Sequence, residues 1–104
     1  MADVIHKSPL EPGEKRRYKL HVQARNGDAE TPSVSSCVCK DTDGNAVSLT
    51  GSSSVSTTYI TLPQFTAPDA GDGKTYQIKA VYAIGDNTYT TILIVPVKTQ
   101  GAVA

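Results

Sequence analysis

The feature that most constrains this chain is a strict alternation near its C-terminal end. Tyr76, Ile78, Ala80, Tyr82 and Ile84 recur at every second position, interleaved with Gln77, Lys79, Val81 and Ala83. Gly85-Asp86-Asn87 then leads into a second run, Tyr89, Thr91, Leu93, Val95 and Val97. Successive strand side chains point to opposite faces, so a period of two marks a strand with one face on a core. A helix would instead need apolar positions three and four apart. Two such runs around a polar glycine turn predict a long antiparallel hairpin from Lys74 to Val97. Pro96 falls near the strand end, where a missing backbone donor is tolerated on an edge.

The rest of the chain carries weaker versions of the same signal. No window shows helical periodicity, and Thr, Val, Ser and Tyr dominate between turns, which predicts an all-β chain. A strand is expected over residues 16–24, where Tyr18, Leu20, Val22 and Ala24 alternate with Arg17, Lys19, His21 and Gln23. That phase places His21 on the wet face. Arg25-Asn26-Gly27-Asp28 turns the chain, and a strand over about 33–40 carries Val34 and Val38 on one face and Cys37 and Cys39 on the other. A short strand at 46–49 precedes the flexible Gly51-Ser52-Ser53-Ser54 loop. Val55 to Leu62 forms the next strand, with Thr58, Ile60 and Leu62 opposite Tyr59. Residues 63–73 then read as a long crossing loop.

At 104 residues the chain has room for one core. Short strands with regular turn signals predict an immunoglobulin-like or fibronectin-type β-sandwich of six to seven antiparallel strands, with N- and C-terminal arms. The expected organisation is an N-terminal arm at 1–15, the sandwich at 16–98 and a C-terminal tail at 99–104. Leu62, the crossing loop and Gly73-Lys74-Thr75-Tyr76 resemble a tyrosine corner, in which Tyr76 bonds back across the loop as a structural residue. A tyrosine merely half buried in a strand is the competing account.

Chemistry is sparse. There is no nucleophile elbow, no HExxH, no phosphate loop and no paired carboxylates, so no catalytic or cofactor-binding residue is assigned and an enzyme is not expected. Asp41-Thr42-Asp43-Gly44-Asn45 opens like an acidic calcium loop, but the glycine comes too early and Ser52 stands where a bidentate glutamate is needed. An Asp-Gly hairpin turn explains it better. Cys37 and Cys39 are too close along one strand face for an unstrained disulfide and supply only half a zinc site. They read as free, partly buried thiols, with intermolecular pairing as the alternative, and no metal is expected.

Ten basic and ten acidic residues give a formal net charge of zero, which argues against nucleic acid. No apolar run approaches the roughly 20 residues of a membrane helix, and Met1 to His6 lacks the pattern of a signal peptide, so a cytoplasmic product that enters no membrane is expected. Zero net charge favours association. Apolar residues in the arms, Val4, Ile5, Leu10 and Val103, are the candidate partner-binding positions, since arms and sheet edges can be satisfied by neighbouring subunits.

Lys7-Ser8-Pro9 before a strand, the Ser35-Ser36-Cys37-Val38 strand, the Gly/Ser/Thr-rich centre, and a Gly-Lys-Thr-Tyr strand followed by Ile92-Leu93-Ile94-Val95-Pro96-Val97 together resemble small tailed-phage virion proteins. The similarity is greatest to the phage fibre-tail adaptor family and covers nearly the whole chain. It implies a multi-copy or homo-oligomeric structural protein, made in the host cytoplasm and built into the virion. Its implied partners are portal, tail or fibre subunits. A capsid decoration protein is one alternative. A carbohydrate-binding or adhesive module using exposed Tyr59 or Tyr89 is another.

Overall fold

The computed structural model describes residues 3–21, 31–56, 59–68 and 73–98. Ten strands follow one another along them: β1 (Asp3–His6), β2 (Lys15–Arg16), β3 (Lys19–His21), β4 (Ser33–Asp41), β5 (Ala46–Val47), β6 (Ser54–Val55), β7 (Tyr59–Thr61), β8 (Phe65–Thr66), β9 (Thr75–Ile84) and β10 (Asn87–Pro96). No helix occurs among the described residues. A five-stranded sheet has the order β1-β10-β9-β4-β5, beside a two-stranded sheet β2-β8 and a three-stranded sheet β3-β7-β6.

The expected hairpin is the centre of the large sheet. β9 and β10 pair antiparallel from Asn87↔Ile84 to Pro96↔Thr75, so Tyr89, Thr91, Leu93 and Val95 stand beside Tyr82, Ala80, Ile78 and Tyr76. All the inward residues of β9 are buried, as are Thr91, Leu93, Val95 and Val97. The one polar member, Thr91, lies within hydrogen-bond distance of the Tyr82 hydroxyl at 3.3 Å, which keeps both groups satisfied inside.

β4 pairs with β9, but the register shifts between Val34 and Ser36. Ser35 is the extra residue of a β-bulge, and a bulge exchanges the faces on either side of it. Val34 pairs with Tyr82 before the bulge, while Cys37 and Cys39 pair with Ala80 and Ile78 after it. Val34 and both cysteines therefore turn toward the core, and Val38 is 47% exposed. The expected sharing of one face by Val34 and Val38 is corrected by this single residue.

The opposing half is broken into fragments. Arg16 faces Phe65 while Lys19 faces Thr61, leaving 17–18 opposite 62–64. Pro63, with no N–H, lies in the longer stretch. Leu62 N still donates to Tyr18 O at 2.8 Å, and Gln64 turns away to pair with Thr50. Phe65 and Thr66 form β8 inside the stretch expected to be only a crossing loop, because Phe65 is drawn fully into the core. Val22, Ala24, Thr58 and residues 69–72 lie outside the described residues.

The N-terminal arm is also corrected in part. Residues 3–6 run parallel to β10, with Val4 beside Ile92 and Ile5 beside Leu93. Lys7 N donates to Ile94 O, and Leu10 N donates to Pro96 O. Leu10 bridges Val97 and is only 2% exposed, so it belongs to this chain's own core and offers nothing to a partner. Pro96 is consequently not on a bare edge. Even-numbered residues at this end of β10 face the N-terminal segment, and regular pairing stops at His6 near the position where Pro96 has no N–H to give.

Candidate partner-docking surface

β1 is the edge strand of the large sheet and carries two of the expected docking residues. Val4 is 51% exposed and Ile5 is 40% exposed. They point to opposite faces: Val4 lies on the outer face, and Ile5 lies beside buried Leu93 on the inner face, whose cover runs out at this edge. Val103 lies outside the described residues.

The outer face extends Val4 into a larger surface. Pairing places Val4, Ile92, Lys79 and Val38 side by side across four strands. His6, Ile94, Gln77 and Lys40 form the adjacent row, and Thr90, Val81 and Ser36 the row on the other side. Ile92, Ile94 and Val81 are half buried and Val38 is exposed, so an apolar strip crosses the sheet from Val4 to Val38, interrupted at β9 by the exposed Lys79. Residues 92–95 are apolar at consecutive positions, which is one more side than a core requires. That run is the sequence signal for this surface, and it lies in β10, outside the arms.

Residues with potential chemistry are otherwise engaged. Asp41 Oδ1 accepts from the N–H groups of Asp43 and Asn45, both at 2.9 Å, in the turn from β4 to β5. The Asn45 N–H leads in holding its carboxyl below the usual range, with the Asn45 side-chain amide and then the Asp43 N–H adding to it. Cys37 and Cys39 are free thiols. Burial, with smaller contributions from Cys37 and Asp41, pushes Cys39 up to about 12, leaving an unreactive neutral thiol at physiological pH. Among the described residues, no group of three His, Cys, Asp or Glu side chains gathers for a metal.

The tyrosines divide by environment. Tyr76 is buried at the start of β9 with its ring centre 5.5 Å from that of Phe65. The loop across which it was expected to bond lies partly outside the described residues. Tyr82 and Tyr89 stack with centres 5.8 Å apart. Tyr59 is exposed, but His21 meets its ring edge-on at 4.3 Å and the Lys19 ammonium lies 5.5 Å from its centre. A sugar would therefore meet a three-residue cluster and not a bare aromatic platform.

No protein-family model, curated protein or solved structure matches this chain.

Proposed function

We propose that this chain is an immunoglobulin-like docking module of a tailed-phage virion, a tail or fibre-tail adaptor that joins portal or tail subunits to fibres without catalysis. The sheet order supports the sandwich assignment. β4, β9 and β10, with β5 beyond, correspond to the C, F, G and C′ strands, and the segments holding β2-β3, β6 and β7-β8 correspond to B, D and E. The resemblance in sequence supplies the virion setting. The observation that carries docking is the edge strand β1, which presents Val4 and Ile5 next to the apolar strip across the large sheet.

An exposed edge can pair with a neighbouring strand, while the adjacent strip supplies area that excludes water. The test is to locate the protein by mass spectrometry and electron microscopy of purified particles. A multi-copy position between tail and fibres is the expected result. A position on the head surface would replace the adaptor by a decoration protein, and absence from every particle would remove both. Within the assembly, Val4→Ser combined with Val38→Ser should abolish incorporation while changing stability by less than about 0.5 kcal/mol per site. Deleting residues 1–12 is a poorer probe, because it strips Leu10 from the core and uncovers β10.

A further inference from the structure

The large sheet and the small sheets present outer faces of different chemistry. Across the large sheet runs the apolar strip from Val4 to Val38, whereas β2, β3 and the residues between them turn Lys15, Arg17, Lys19 and His21 outward. All four are exposed, while Tyr18 and Leu20 among them are buried. The chain as a whole has a formal net charge of zero, so this row is a local excess. Strand pairing sets no acid beside it: Thr66 stands opposite Lys15, Thr61 opposite Lys19 and Tyr59 opposite His21, with Ser54 beyond Thr61. The Arg17 guanidinium reaches a neutral group, the Ser52 carbonyl, at 3.3 Å. Glu14, next to Lys15 in the chain, is taken up by Arg16 at 3.7 Å, and Arg16 pairs with the core residue Phe65 and so belongs to the inner side. Like charges recurring about every 7 Å along one face repel one another, and no carboxylate among the described residues offsets them.

We propose that this row receives an acidic, extended segment of a second docking partner, with carboxylates at alternate positions facing Lys15, Arg17 and Lys19. The inference rests on the docking reading and gives the adaptor a second contact, separate in place and in chemistry from β1. The strand period selects an extended segment, because side chains on one face of such a chain recur at the same spacing of about 7 Å as the cations. Among the described residues β2 and β3 also stand at the ends of their sheet orders, so a segment laid beside them sets opposite charges across neighbouring strands. Single-stranded nucleic acid would add stacking on aromatic rings to the attraction of charge. Tyr59, the aromatic of this face, already has its ring engaged by His21 edge-on and by the Lys19 ammonium, which leaves no open platform for a base or a sugar. Cations on an edge also guard it against pairing with its own copies. The charge that repels a second copy of this edge admits an acidic one.

The experiment is a nuclear magnetic resonance titration of the full chain with a capped Thr-Glu-Thr-Glu-Thr-Glu-Thr peptide. Its glutamine counterpart, an oligothymidylate and an oligogalacturonate are run beside it. Saturable shifts of Lys15, Arg17, Lys19, His21 and Thr61 are expected with the glutamate peptide, weakening as salt is raised. Lys15→Gln combined with Lys19→Gln should weaken binding about tenfold or more while leaving the urea midpoint nearly unchanged. Lys40→Gln combined with Lys79→Gln removes the same charge from the outer face of the large sheet and should leave binding within about twofold of the parent. Equal losses in the two pairs would reduce the effect to net charge and overturn the proposal, as would equal binding of the glutamine peptide or the lack of a saturable shift. Tighter binding of the oligothymidylate or the oligogalacturonate would overturn the assigned partner. A failed titration leaves the virion test of docking standing, and a virion lacking the protein leaves a positive titration standing, so the two failures are distinguishable.

Discussion

The large sheet and the small sheets facing it reach the same degree of burial by different means. β9 and β10 pair without interruption along their ten residues, whereas among the described residues no strand opposite them exceeds three. Yet Ile60, Leu62 and Phe65 on the fragmented side are each 0% exposed, as deep as Val95 and Leu93 at 0% and 1%. A continuous ladder is therefore not what places a side chain in this core. On the fragmented side, backbone groups are satisfied by isolated contacts, such as Leu62 N to Tyr18 O at 2.8 Å and the reciprocal pair between Gln64 and Thr50, while packing supplies the cohesion.

The strongest way to break this comparison is to hollow out each side in turn. Phe65→Ala should cost about 3–5 kcal/mol and Leu93→Ala about 2–5 kcal/mol, measured by urea unfolding. Against a total of roughly 5–15 kcal/mol for a domain, either loss is severe. Equal severity would mean that the fragments and the ladder form one cooperative core. A loss below about 1 kcal/mol for Phe65→Ala would mean that the fragmented side is an appendage.

Alkaline pH probes the ladder side through Cys39, which faces Ile78 across the β4–β9 pair. Its thiol is raised from an ordinary 9.0 to about 12, so between those values the folded chain holds a proton that the unfolded chain has lost. The contribution is fully present below pH 9.0 and disappears as pH rises toward 12. At about 1.4 kcal/mol per pH unit, the loss is a few kcal/mol. Cys39→Ala should start less stable and show a flatter decline over the same range in urea midpoints. Parallel declines would show that the thiol is not what burial has perturbed.

Hydrogen exchange sharpens the contrast at smaller scale. Amides inside β9, flanked by β10 and β4, should exchange at least about tenfold more slowly than those of β2 and β8, because short pairs at a margin open locally before the whole domain does. Equal protection would make the fragments as cooperative as the ladder.

The same difference explains what the sequence made legible. Periodicity survives where pairing is uninterrupted, so the inward faces of β9 and β10 could be assigned residue by residue. Ser35 carries no sign that it will bulge, and the sign of Val34 and Val38 inverted with it. Pro63 announced a break but not that Phe65 would form a strand just beyond. Leu10 looked like an arm residue because Ser8-Pro9 and Pro12-Gly13 surround it, yet a single bridge to Val97 suffices to seat it in the core. For the docking surface, Val4 and Ile5 were visible as an apolar pair, while the strip through Ile92 and Val38 needed the pairing register.

The smallest effect expected lies at the edge of the large sheet, in the turn held by Asp41. Its carboxylate accepts two backbone N–H bonds and one from the Asn45 side chain, so its folded pKa lies below the unfolded 3.8. That stabilisation is present above 3.8 and is lost as pH falls through the folded value. Asp41→Asn keeps an acceptor oxygen for the same backbone donors but cannot titrate. The variant should therefore retain the hairpin at neutral pH and lose slightly less stability than the parent on acidification, read as urea midpoints. Exchange in β2 and β8 should respond little, because Asp41 stands beside Tyr76 of β9 and reaches β8 only through the contact of that ring with Phe65. A large response there would mean that the edge and the fragmented side are coupled through the core more tightly than their separate backbone pairing implies.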